Sequence, residues 1–159
     1  MQEFDLIVIG GGSGGLATAQ RAAEYGARAV VFEAGKLGGT CVNVGCVPKK
    51  VMWYGAEIAA AIAHAPHYGF DVTARGHDFS RLHASRDAYI ARLNDIYARN
   101  LEKRQVRHVA RWARFVAPDT VEDAAGERYT APHIVIATGG HPIVPRIPGS
   151  ELGLTSDGF

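Results

Sequence analysis

A chain of 159 residues is long enough to bury about 70% of its unfolded surface in one domain and too short for two ordinary ones. Apolar residues at 47% and charged residues at 21% exclude intrinsic disorder, collagen-like repeats and coiled coil. With 17 Lys and Arg against 16 Asp and Glu, the net charge of +1 leaves no basic footprint for nucleic acid or an anionic membrane surface.

The chain opens MQEFDLIVIGGG. Glu3 and Asp5 precede a short apolar run, without the basic start and long apolar centre of a secretion signal, and no stretch reaches the ~20 apolar residues of a membrane span. A cytoplasmic protein is the expectation. Residues 4–9 (FDLIVI) are an unbroken β-branched and aromatic run, the pattern of a strand covered on both faces. A glycine cluster comes next, then small helix-compatible residues from Gly14 to Tyr25, with Gly26 where a helix stops. Residues 29–33 (AVVFE) read as a second strand, which completes a βαβ unit with a right-handed crossover.

Residues 34–48 read as a Gly-rich loop holding both cysteines, leading into an alanine-rich helix through His64. After a connection with Pro66 and Gly69, residues 79–104 form an amphipathic helix with Leu82, Tyr89, Ile90, Leu93, Ile96, Tyr97 and Leu101 on its apolar side. Segments 106–109, 112–116, 127–130 and 133–137 suggest a small antiparallel ribbon returning to one more buried strand, HIVIA.

Gly10, Gly12 and Gly15 form G-x-G-x-x-G between predicted strand and predicted helix. Such a turn lets a pyrophosphate touch backbone at the positive end of the helix. Glu33 ends the second strand 18 residues beyond Gly15, where a carboxylate accepts bonds from both ribose hydroxyls and repels a 2′-phosphate. The competing reading is a glycine turn that serves packing alone.

Cys41 and Cys46 lie in GGTCVNVGCVPKK. Positions five apart on a regular helix are separated by roughly 8.6 Å, beyond the ~4.4–6.8 Å of a disulfide, so a bridge requires distorted backbone. Gly45 and Pro48 could allow it, and a distorted bridge is easier to reduce. If Cys46 opens a helix, the positive helix end and Lys49 and Lys50 favour its thiolate. A zinc site needs further ligands, and none of His64, His67, His77, His83, His108, His133 and His141 stands at ligand spacing from the pair; no metal is expected. Inert thiols are the other alternative.

Together IGGGSGG, Glu33 and GGTCVNVGCVPKKVMW resemble the FAD-dependent pyridine-nucleotide disulfide oxidoreductases, most closely the members that reduce glutathione disulfide. The resemblance runs through the whole chain, since YTAPHIVIATGG is similar to the family's second flavin-contacting segment. It implies an α/β, Rossmann-like FAD-binding domain with a parallel sheet, an inserted helical pair and a small antiparallel ribbon, incomplete in this chain. It implies that FAD occupies the glycine turn through Gly10, Gly12, Ser13, Gly14, Gly15, Glu33, Gly39, Thr40, Cys41, Lys49, Ala113, Thr138 and Gly139. The implied chemistry passes electrons from NADPH through FAD to a Cys41–Cys46 disulfide, with Cys46 facing the flavin, Lys49 near its reacting edge, and Cys41 attacking glutathione disulfide.

For glutathione the resemblance implies Ser13, Ala17, Ile96, Tyr97 and Asn100, the last three on adjoining parts of one helix face. Ala17 stands where trypanothione reductases carry an acid, and Lys49 where lipoamide dehydrogenases and mercuric reductases carry serine; Gln20 replaces an arginine that some members use for the glycine carboxylate. Another disulfide oxidoreductase of the family or a non-catalytic flavin-binding fragment are the alternatives. Family members continue through an NADPH-binding domain and an interface domain that makes a homodimer. Residues 1–159 are therefore expected to be the N-terminal part of the FAD-binding domain, inactive when isolated.

Overall fold

In the computed structural model, which describes residues 1–158, two four-stranded sheets lie face to face and helices cover the outer side of one of them. The elements in chain order are β1 (Gln2–Glu3), β2 (Leu6–Ile9), α1 (Ser13–Glu24), β3 (Ala29–Phe32), α2 (Gly39–Asn43), α3 (Cys46–His64), α4 (Phe79–Lys103), β4 (Arg107–Val109), β5 (Ala113–Ala117), β6 (Thr120–Asp123), β7 (Arg128–Thr130) and β8 (His133–Ile136). A 3-10 turn, Ala65–Tyr68, ends α3 and begins the connection to α4, and two more lie at Ser150–Leu152 and Ser156–Gly158.

The first sheet has the order β4-β3-β2-β8, every pair parallel, with Leu6–Ile9 registered against both Ala29–Phe32 and His133–Ile136. Alternation along its strands explains why FDLIVI and AVVF read as unbroken apolar runs. Leu6, Val8, Ala29 and Val31 face a core made with Leu16 and Ala19 of α1, Leu37, and Leu101 at the end of α4. Ile7, Val30 and Phe32 face the opposite way, onto Val121 and Tyr129 of the second sheet and Ala131 just after β7. Both faces are buried, by different partners.

The second sheet, β1-β7-β6-β5, is antiparallel apart from β1, which runs parallel to β7. The expected ribbon therefore loses one segment and gains another. Residues 107–109 join the first sheet beside β3, and the ribbon takes its middle strand from Thr120–Asp123, a segment whose sequence carries a single apolar residue. HIVIA supplies an edge strand, half-covered, with Ile136 at 66% exposure.

The expected loop at 34–48 is the other correction. It contains α2 and the start of α3, broken only at Val44 and Gly45. The end of α3 and both ends of α4 match expectation within a residue, and α3 lies against α4 closely enough that a Cβ at Gly55 would stand 2.9 Å from a methyl of Leu82. No helix among the described residues is long and apolar enough to cross a membrane.

Candidate functional site

The site forms at the carboxyl ends of β2, β3 and β8, where three turns converge. Gly10 leaves β2 at φ +113, and a Cβ on it would stand 2.2 Å from the Ala137 carbonyl oxygen, so only glycine fits between the first turn and the end of β8. At Gly15 a Cβ would lie 1.8 Å from the Gly10 oxygen, which fixes the helix against the turn. The third contact is Gly12 against Gly39, where an added Cβ on Gly39 would meet the Gly12 Cα at 2.7 Å.

No side chain caps the start of α1, and its first turn carries no acid. The amides and positive end of that helix are thereby left for an anion. In front of Gly14 and Gly139 a Cβ would find nothing within 4 Å. The residues fit a pyrophosphate lying across backbone. Glu33 closes the floor: its carboxylate accepts from the Gly11 N–H at 2.7 Å and the Gly35 N–H at 2.8 Å. Those bonds use part of an ionised carboxylate's capacity and leave it able to accept from a ribose.

Gly12, Ser13, Gly14, Glu33, Gly39, Thr40, Cys41, Thr138 and Gly139 thus line one cleft of about 250 Å³, joined by Gly38 and Ala137. Gly10 and Gly15 shape it from behind. Lys49 lies in an adjacent cleft of about 410 Å³ with Cys46, Val44, Gly45 and Leu154–Ser156. Ala113 joins neither cleft: it sits in β5, paired with Asp123 and packed on the inter-sheet core. A larger cavity of about 490 Å³ lies near Gln2, Arg28, Arg104 and Arg107, with none of the motif residues in its wall.

The two cysteines flank the break between α2 and α3, Cys46 being the first residue of α3. Gly45 (φ −126°, ψ −112°) turns the chain back so tightly that a Cβ there would lie 2.8 Å from the Thr40 carbonyl oxygen and 3.3 Å from the Cys41 Cα. The fold-back overcomes the separation that a continuous helix would impose on residues five apart. Both sulfurs are free thiols, Cys41 half-buried and Cys46 exposed. A side-chain hydrogen bond with Cys46 pushes the Cys41 thiol above its ordinary 9.0, burial adds to the rise, and Lys50 partly offsets it. Among the described residues no group of three or more His, Cys, Asp or Glu could hold a metal ion.

Residues 4–158 match the family described as pyridine nucleotide-disulphide oxidoreductase. The chain belongs to this family. Its relatives include proteins named glutathione reductase from Yarrowia lipolytica, 50% identical, and Schizosaccharomyces pombe, 51% identical, each aligned over 98% of this chain. The chain spans 36% and 35% of their respective lengths.

For a member of this disulphide oxidoreductase family, the residues expected to meet a substrate are spread over two helices. Ser13 lines the cleft and Ala17 is exposed one turn further along α1. Ile96, Tyr97 and Asn100 are all half-buried on α4, and Tyr97 packs against the core of the parallel sheet. Gln20 is half-buried, its side-chain amide donating back to the Leu16 carbonyl of its own helix at 3.0 Å.

Three contributors escape a reading of motifs. Gly11 stands against Glu33 so closely that a Cβ would be 2.7 Å from the glutamate's Cβ. Asn43 donates to the Gly39 carbonyl at 2.9 Å and also reaches the carbonyls of Lys36 and Leu37. Asn94 of α4 donates to the Leu37 carbonyl at 2.7 Å and to Asn43 Oδ1 at 2.9 Å. Asn94 had a signal: with Ile90, Tyr97 and Leu101 it falls on one helical stripe, where it is the polar member.

Proposed function

We propose that this chain is the FAD-cradling, redox-cysteine part of an NADPH-dependent glutathione-disulfide reductase. The observation that carries the reading is the fold-back at Gly45, which brings Cys46 to Cys41 beside a cleft lined by Gly12, Ser13, Gly14, Glu33, Thr138 and Gly139. The relatives' name and the family membership point the same way.

When bound, FAD supplies two-electron exchange between a nicotinamide and a disulfide. The uncapped start of α1 would hold its pyrophosphate and Glu33 its ribose. Lys49 stands beside Cys46 in the neighbouring cleft, where it would help to hold the flavin's reacting end. With the cysteines as a dithiol, the Cys41 thiolate attacks one sulfur of glutathione disulfide; the S–S bond breaks, a mixed disulfide forms, and the first glutathione leaves and takes a proton. The Cys46 thiolate then attacks the Cys41 sulfur, which forms the Cys41–Cys46 disulfide and releases the second glutathione. The two electrons lost by the cysteines equal those gained by glutathione disulfide, and one NADPH with one proton restores the dithiol. Ser13, Ala17, Ile96, Tyr97 and Asn100 form the glutathione surface in this reading. NADPH binding and homodimer contacts belong to segments outside residues 1–159, and the working compartment is the cytoplasm.

The test is steady-state NADPH oxidation by the intact protein with glutathione disulfide. Wild type should turn over, and Cys41→Ser should retain flavin absorbance while losing disulfide reduction. Unchanged turnover in Cys41→Ser removes the cysteine from the reaction and overturns the reading. The chain of residues 1–159 alone should show no NADPH-dependent turnover.

A further inference from the structure

The redox segment is held by more than its own backbone. Leu37 is buried in the core of the parallel sheet and Val42 is buried beside it in sequence, so both flanks of Cys41 are anchored by apolar contact. Around the first of those anchors, the backbone carbonyls of Lys36, Leu37 and Gly39 all accept from the Asn43 side-chain amide. The orientation of Asn43 is set in turn from a helix fifty-one residues further along: Asn94 donates to Asn43 Oδ1 and to the Leu37 carbonyl. Three further residues of α4, Ile96, Tyr97 and Asn100, belong to the surface assigned to glutathione.

We propose that Asn94 is a positioning residue for the cysteine pair, locking α2 to α4 so that Cys41 stays within reach of Cys46. The proposal rests on the redox-disulfide reading above. An amide suits the position because Asn94 must donate twice, to a backbone carbonyl and to a side-chain carbonyl. A carboxylate of the same size faces both acceptors with no donor. With the clamp open, Cys41 samples positions away from Cys46, and the intramolecular disulfide loses ground to the dithiol, since ring closure then has to order the segment first.

The measurement is the equilibrium constant between the Cys41–Cys46 disulfide and dithiothreitol in the intact protein. Two electrons and two protons pass from the reagent to the pair, and the fraction reduced is read by alkylation and mass spectrometry. Asn94→Ala and Asn94→Asp should each favour the dithiol by tenfold or more, with Asp the stronger. Asp95→Ala, an exposed neighbour on the same helix, should match wild type. Melting temperatures are recorded alongside, and Asn94→Asp keeps the volume filled should Asn94→Ala fold poorly. A lowered melting temperature with an unchanged equilibrium constant makes Asn94 merely structural and overturns the proposal. So does an unchanged constant with unchanged melting. A wild-type protein whose cysteines form no reversible disulfide sinks the redox reading itself, and this inference with it.

Discussion

Gly45 supplies the backbone distortion that a bridge between residues five apart requires. Its Cα points a missing side chain at a backbone oxygen, 2.8 Å away, that belongs to the helix just completed. A backbone atom cannot swing aside as a flexible side chain can. Gly45→Ala should therefore cost about 1–3 kcal/mol in chemical denaturation and slow formation of the Cys41–Cys46 disulfide on mild oxidation. The proximity so achieved also sets the reactivity of Cys41. Because Cys46 raises its pKa first and burial second, the rate of Cys41 alkylation by iodoacetamide should climb with a midpoint above pH 9, and Cys46→Ala should move that midpoint down. A midpoint that stays put in Cys46→Ala would mean that burial alone holds the thiol. Lys50 is a cation that partly lowers the Cys41 thiol.

At the scale of elements, the second sheet adds a buried polar cluster to the apolar core it shares with the first. Asp123, buried at the end of β6, accepts from the backbone N–H groups of Ala125 and Glu127 and from Arg111 at 2.9 Å. Burial pushes its carboxyl up, but Arg111 and the two amides outweigh that and hold it below 3.8. Tyr129, fully buried on β7, donates to Glu127 at 2.8 Å, and burial first, then that bond, push its phenol up to about 12. A phenol near 10 when unfolded and near 12 when folded holds its proton longer in the folded state. Its contribution to stability is complete below pH 10 and is lost as pH rises toward 12. Tyr129→Phe should therefore flatten the loss of stability between pH 10 and 12, measured by urea unfolding, while costing about 1 kcal/mol at neutral pH for the lost hydrogen bond. The same cluster explains which elements the sequence conceals. β2, α1 and β3 carry long apolar or small-residue periods and are legible within a residue or two. β6 (TVED) is not, because one of its two buried residues, Asp123, is a carboxylate satisfied by groups outside the strand, which leaves Val121 as the strand's single apolar signal. β4 is three residues long, and no period in three residues says which sheet it joins. α2 hides in glycine, a poor helix former, and holds its shape through Asn43, Asn94 and the buried Val42. The motif residues are legible because steric need fixes their type, as at Gly10 and Gly15; Ala113 enters by resemblance alone and lies in the other sheet.

For the molecule as a whole, the layered arrangement leaves its ligand end held by turns rather than by side-chain packing, and binding there should be felt as stability. A ligand that engages only the folded state, at a hundred times its dissociation constant, adds about 2.7 kcal/mol, which for a chain of this size is roughly 5–10 °C in melting temperature. Gly14→Glu separates the ligand's contribution from the fold's own. The position is open, with no atom within 4 Å of an added Cβ, so the substitution fits without displacing anything. It lies in the first turn of α1, where no acid now stands, and a carboxylate there complements the helix dipole by about 0.3–1 kcal/mol. Toward a pyrophosphate bound in the cleft that Gly14 lines, the same carboxylate would be a like charge. The flavin-free variant should accordingly melt at or slightly above the wild-type temperature, and addition of FAD should raise the melting temperature of wild type but not of Gly14→Glu. Equal FAD-induced shifts in both proteins would move the pyrophosphate away from α1 and dissolve the assignment of the glycine turn.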